Sequence, residues 1–204
     1  MGIYTKYILP HLIEVICSLS VFAKQRKKII PLAKGNVLEI GIGTGLNLPL
    51  YDNKKVISLT AVDPFEDTWK KCTIDLQKLG FNFKFIIASG EELPFDNDSF
   101  DTVVVSYSLC TIPDAKKALE EMRRVLKPTG LFLFCEHGIA PEKRVQLLQN
   151  LSNPIWKTIA GGCNLNRNIP KIIADSGFKN IKFETMYIPG WKPLSFNYWG
   201  TASK

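Results

Sequence analysis

Residues 100–106 read Phe-Asp-Thr-Val-Val-Val-Ser, a nearly continuous apolar run. A strand of this kind has no face to give to water, so both faces must be covered. The flanking sequence supplies the covers. Short apolar strands are expected at residues 37–40, 56–62, 83–88 and 131–135, alternating with helices. One helix is predicted over residues 66–79, ended by Gly80. The clearest starts after Asp114, a fitting N-cap, and presents Ala115, Ala118, Leu119, Met122, Val125 and Leu126 as one apolar stripe before Pro128. Such alternation predicts an α/β fold with a mostly parallel sheet and helices on both faces.

The chain changes character towards its end. Helices are expected at residues 142–159 and 169–175, then strands at 181–187 and 194–201 around a turn-like Pro189-Gly190-Trp191-Lys192-Pro193. An antiparallel pair closing one sheet edge makes seven strands in a doubly wound, Rossmann-like arrangement. At 204 residues, a single domain is the expectation.

Glu39-Ile-Gly41-Ile-Gly43-Thr44-Gly45 follows the first strand directly. A glycine turn there brings backbone N–H groups close to a ligand at the carboxyl end of the sheet. The second strand ends in Asp63, an acid placed to accept the hydroxyls of a ribose. Spacing and charge separate two cofactor classes. The dinucleotide fingerprint needs a third glycine at position 46, which is Leu46. A carboxylate at Glu39 repels a pyrophosphate but suits an ammonium group. S-adenosylmethionine (SAM), with an ammonium and a sulfonium, therefore fits better than a nicotinamide dinucleotide.

These residues resemble motif I and the ribose-binding acid of class I SAM-dependent methyltransferases. Ala88-Ser-Gly-Glu-Glu-Leu-Pro-Phe95 with Phe100-Asp101, and Val125-Leu-Lys-Pro-Thr-Gly130, resemble the ubiquinone/menaquinone-biosynthesis-like branch. Ser108-Leu-Cys110, Phe134-Cys-Glu136-His137 and Gly161-Gly-Cys163-Asn-Leu-Asn-Arg167 are similar to alkyl-thiol methyltransferase-like proteins, and the first half is also similar to phospholipid N-methyltransferases. The resemblance implies a SAM-binding core over residues 35–138, a helical lid over 1–34, and substrate-side helices and a hairpin over 139–204. It implies a cofactor set of Glu39, Gly41, Gly43, Thr44, Gly45, Asn47, Asp63, Pro64, Ser89, Gly90, Glu91, Ser106 and Leu109. Ser89 departs from the branch, which often has an aspartate against the adenine amine.

Methyl transfer is an in-line displacement, helped by positioning and by exclusion of water. A thiol acceptor needs modest help to ionise; a phenol or amine needs more. His137, at the end of the fifth strand, is the candidate base, with a structural histidine as the plain alternative. The expected acceptor is a small molecule or lipid of thiol, amine or quinol type. No Asn/Asp-Pro-Pro-aromatic segment follows the fourth strand, where Ser106-Tyr-Ser-Leu109 stands, which argues against nucleic acid despite a net charge of +7. An NAD-dependent oxidoreductase and a non-catalytic SAM-binding or membrane-docking module are the alternative readings.

Residues 7–23 are apolar but contain Pro10, His11 and Glu14, and positive charge follows them rather than precedes them. That order argues against a signal peptide, and the stretch is short for a span. A helix over residues 10–32 is predicted, packed on its own domain or lying on a membrane surface. Five cysteines without a Cys-x-x-Cys pair, and two histidines, predict a reduced cytoplasmic chain, peripheral at a membrane on the sharper reading, with no metal-ligand cluster.

Overall fold

A computed structural model of the chain describes residues 15–204. Seven strands form one sheet: β1 (Gly35–Ile40), β2 (Val56–Asp63), β3 (Asn82–Ile87), β4 (Phe100–Ser106), β5 (Leu126–His137), β6 (Lys179–Tyr187) and β7 (Phe196–Ser203). Their order is β3-β2-β1-β4-β5-β7-β6. The first five run parallel, and β7 lies antiparallel between β5 and β6. This is the doubly wound sheet with an antiparallel C-terminal edge pair that the sequence predicts.

The apolar run in β4 behaves as expected. Val103, Val104 and Val105 are fully buried but belong to different layers. Val103 and Val105 join Leu38, Phe132, Phe134 and the stripe of α3 (Ala115–Val125). Val104 joins Val37, Leu59, Leu133 and Cys135 on the other face, with Ile29 and Ile30 packed over them. Side chains alternate across a strand, so a strand apolar throughout serves two cores at once. Asp114 caps α3 as predicted, its carboxylate accepting from the Lys117 N–H at 3.0 Å.

Four expectations need correction. The helix predicted over 66–79 is a single turn, α2 (Glu66–Trp69), followed by a 3-10 turn at Leu76–Lys78. Trp69 instead stacks on Phe85, with ring centroids 5.0 Å apart. The β-branched Thr73-Ile74 pair and Asp75, whose carboxylate takes the Gln77 N–H, disfavour continuing the helix. The N-terminal helix is broken at Leu19, beside Ser18, whose hydroxyl donates to the Val15 carbonyl. It continues as α1 (Ser20–Arg26), and a 3-10 turn at Ile30–Leu32 contains Pro31. The predicted helical residues before 15 lie outside those described. β5 starts at Leu126 rather than 131, because Leu126 pairs with Phe100 before the register shifts to Thr102 and Leu131. β7 starts at Phe196, since Pro193 opens a helical turn, Lys192–Ser195, ahead of it.

Two further helices match expectation: α4 (Lys143–Ile159) and α5 (Ile169–Asp175). Both follow β5, and Val145, Ile169 and Ile173 join the layer that holds Phe132, Phe134 and Tyr198.

Candidate active site

The chain order reverses between β1 and β4, and α/β sheets bind ligands in the crevice at such a point, beyond the carboxyl ends of the strands. The glycine loop leaves β1 here. Gly41, Gly43 and Gly45 all have positive φ, at 72°, 55° and 84°. A side chain at Gly41 would collide with the Ser108 hydroxyl at 2.2 Å, so the loop after β4 closes against it. Gly43 differs: a Cβ there meets nothing within 4 Å. Its backbone therefore borders open space. The Gly43 N–H is held by Asp63 Oδ2 at 3.0 Å, and the Phe65 N–H by Asp63 Oδ1 at 2.9 Å. Each carboxylate oxygen keeps a further lone pair for a ligand hydroxyl. Burial raises the Asp63 carboxyl above its ordinary range, against the two N–H donors that pull it down.

Glu39 does not face the crevice alone. Its Oε1 accepts from Asn47 Nδ2 at 2.8 Å, and its Oε2 from the Tyr51 hydroxyl at 2.8 Å. The same Asn47 amide nitrogen donates to the Ser106 hydroxyl at 2.8 Å. Three sequence-nominated residues are thus joined in one buried network across β1, β4 and the loop. With its nitrogen committed twice, Asn47 has its Oδ1 buried and without a partner among the described residues. Burial lifts the Glu39 carboxyl to about 7, against the donors Tyr51 and Asn47. Glu39 thereby orients the Asn47 side chain.

The other nominated residues lie around this centre. Thr44 is half-buried in the loop and Pro64 is exposed after Asp63. The Ser89 hydroxyl is tied up with Glu91, donating to Oε2 at 3.1 Å, while Glu91 Oε1 takes the Asp114 N–H. Gly90 is buried, and a Cβ there would press on Ile40 at 3.0 Å. Leu109 is fully buried, and its N–H is spent on Glu136 Oε1 at 2.9 Å.

Several groups at this edge escaped the sequence reading. Glu136 is fully buried, and its Oε2 has no partner among the described residues. Its carboxyl is pushed well up by burial, and further by the Cys110 thiol. Arg26 on α1 is also buried, with its Nε unpartnered, and it stands close enough to Glu39 to stabilise the charged carboxylate. Phe22 packs edge-on against Tyr107, the first residue after β4, at 5.1 Å between centroids. The apolar character of the N-terminal segment is legible in the sequence; an arginine turned inward is not, because Lys24, Arg26, Lys27 and Lys28 form one basic run.

Spacing along the chain points to no metal-ligand cluster, but the fold brings three potential ligands together. Cys110, His137 and Cys163 bring their ligating atoms within 4.8 Å of one another. His137 Nε2 lies 3.1 Å from Cys163 Sγ. The Trp156 indole N–H also points at Cys163 Sγ, at 3.3 Å. Within the thiol pair, the hydrogen bond from Cys163 and the nearby His137 pull the Cys110 thiol down against its burial.

The acceptor over Gly43 and Asp63, the partnerless Asn47 Oδ1 and the open space over the loop fit SAM. The ribose needs a carboxylate and the ammonium an acceptor. The comparisons agree. A methyltransferase-domain family matches residues 38–134. Rat thiol S-methyltransferase TMT1B is 36% identical over 174 residues, 82% of this chain and 70% of that protein. The ubiquinone/menaquinone biosynthesis C-methyltransferase UbiE of Rickettsia bellii is 39% identical over 125 residues, 57% of this chain and 50% of that protein. The crystal structure of Bacillus subtilis YcgJ superposes with a TM-score of 0.70 at 18% identity, over 91% of this chain and 98% of that one. The chain belongs to the SAM-dependent methyltransferases of the ubiquinone/menaquinone-biosynthesis-like branch.

Proposed function

We propose that the acceptor is a small thiol and that His137 takes its proton. SAM supplies the electrophilic methyl group when bound. The observation that carries the reading is the position of His137, the one imidazole among the described residues, half-buried at the end of β5 beside the crevice. One imidazole is enough for a thiol of pKa about 8.5, and poor for a phenol or an amine. The thiol S-methyltransferase relatives support the same class.

In this reading Asp63 accepts the ribose hydroxyls, Asn47 Oδ1 the ammonium, and the buried Arg26 guanidinium faces the carboxylate of the donor. The Gly41–Gly45 loop lies along the donor, and Ser89 and Gly90 border the adenine. Phe22 and Arg26, over Tyr107, keep water from the transferring methyl group.

A panel of an alkyl thiol, a quinol, an amine and a phospholipid, with methyl-labelled SAM, tests the acceptor. Label on the quinol or amine and none on the thiol overturns the reading. His137→Gln should lower kcat/KM for a thiol about 100-fold at pH 7. The loss should shrink towards tenfold or less near pH 9.5, where about nine-tenths of the thiol is ionised unaided. An equal loss at both pH values makes His137 structural.

We also propose contact with a membrane surface from the cytoplasmic side. Val15, Ile16 and Leu19 are exposed near Lys24, Lys27 and Lys28, and Leu147, Leu151, Ile155 and Trp191 are exposed around α4. No helix among the described residues is long and apolar enough to cross a membrane; the proposed contact is a peripheral one. Full-length protein should co-sediment with anionic liposomes at low salt and less with neutral ones. No recruitment by either ends this proposal.

A further inference from the structure

We propose that Cys110 Sγ, Cys163 Sγ and His137 Nε2 form a three-ligand site for one thiophilic cation of the Zn2+ type. The site stands on the side-chain cluster itself and would hold its ion whatever the methyl acceptor.

The geometry is close to that of a bound ion. Tetrahedral zinc with Zn–S near 2.3 Å and Zn–N near 2.05 Å sets ligand atoms about 3.6–3.8 Å apart. Here the three atoms lie within 4.8 Å of one another, with Nε2 and the Cys163 sulfur at 3.1 Å. Ligation needs adjustments of about one ångström or less. Two thiolates and an imidazole are the soft donors that select zinc-like ions over calcium or magnesium.

The cluster is also held together by structure that does not belong to it. Cys163 follows Gly161 and Gly162, whose φ values of 62° and 94° place the turn where an ordinary side chain is strained. Asn164 donates both its backbone N–H and its side-chain amide to the Cys110 carbonyl, each at 2.9 Å. Arg167 donates to the Leu109 carbonyl. These bonds lock the loop after β4 to the loop after α4, and so fix the two sulfurs in relation to each other. The Trp156 N–H on Cys163 Sγ is an outer hydrogen bond of the kind that orients a metal ligand. Three protein ligands leave one coordination position open, as in metal sites that bind an exogenous group. An ion here occupies the Nε2 lone pair, so a loaded site and a free His137 base exclude one another.

Equilibrium dialysis of the reduced, full-length protein against Zn2+ tests the proposal. One ion per chain is expected, falling at least tenfold in affinity in the Cys110→Ser/Cys163→Ser double variant and unchanged in Cys72→Ser. Less than stoichiometric uptake by the unaltered chain, or equal uptake by the double variant, overturns it. A second measurement avoids the risk that the variant misfolds. In the unaltered chain, Zn2+ should slow alkylation of the Cys110–Cys163 pair by iodoacetamide at least tenfold while leaving Cys72 unaffected. Equal rates with and without Zn2+ overturn the site.

Discussion

At the residue scale, the crevice relies on carboxylates whose partners are mostly backbone N–H groups and amides. Asp63 holds Gly43 and Phe65 in place while keeping lone pairs for a ligand. Asp63→Ala removes a charge-assisted acceptor and loosens the loop as well. Affinity for S-adenosylhomocysteine should fall by roughly 1.5–3 kcal/mol, about 10- to 150-fold, by isothermal titration. An unchanged Kd removes Asp63 from the site. Glu39 makes a pH prediction. Its carboxyl sits at about 7 in the folded protein, above its ordinary 4.5, because burial opposes charge. The folded state then keeps a proton that the unfolded chain has lost. The stability this represents is present below pH 4.5 and is lost as pH rises through 7, in total about 3 kcal/mol. Glu39→Gln cannot ionise. Its unfolding free energy relative to the unaltered protein should rise by about that amount between pH 4 and 8 in urea titrations. A constant difference across that range refutes the assignment.

At the element scale, α1 is short and packs with both apolar and polar residues. Gln25 and Arg26 are buried, while Phe22 and Arg26 lie over Tyr107. Tyr107 itself holds a positive φ of 52°, tied by its N–H to the Cys135 carbonyl and by its hydroxyl to Asn197. A tyrosine in that region carries backbone strain of about 1–2 kcal/mol, retained because three neighbouring elements fix it. If α1 acts as a cover, Phe22→Ala should lower kcat several-fold and leave the Kd for S-adenosylhomocysteine within about twofold. Equal loss in both would place Phe22 against the donor rather than over the acceptor.

At the scale of the whole molecule, one sheet carries two apolar layers, and the central strands serve both. Phe134 is fully buried and stacks near Phe132, which itself stacks on Phe178. Phe134→Ala should cost about 3–5 kcal/mol and lower the thermal midpoint by about 10 °C, read by calorimetry. A shift under 3 °C would mean that the layer refills the cavity. The same sheet explains the shape of the site. Ligand-facing loops all leave the carboxyl ends of β1, β2, β4 and β5, so residues distant in sequence meet along one edge.

The sequence by itself determined the sheet, the glycine loop, Asp63 and the methyl donor. Apolar runs, caps and glycine spacing are local patterns, and local backbone physics reads them directly. It misjudged the helix after β2, where the stacking of Trp69 on Phe85 outweighs helical periodicity. Only the tertiary structure decided that Glu39 bonds the Asn47 amide, that Arg26 turns inward, and that Cys110, His137 and Cys163 converge. Their separations along the chain carry no spacing signal, because β4, β5 and the loop after α4 are brought together by sheet register and by the Asn164 bonds, and neither is written in any short stretch of residues.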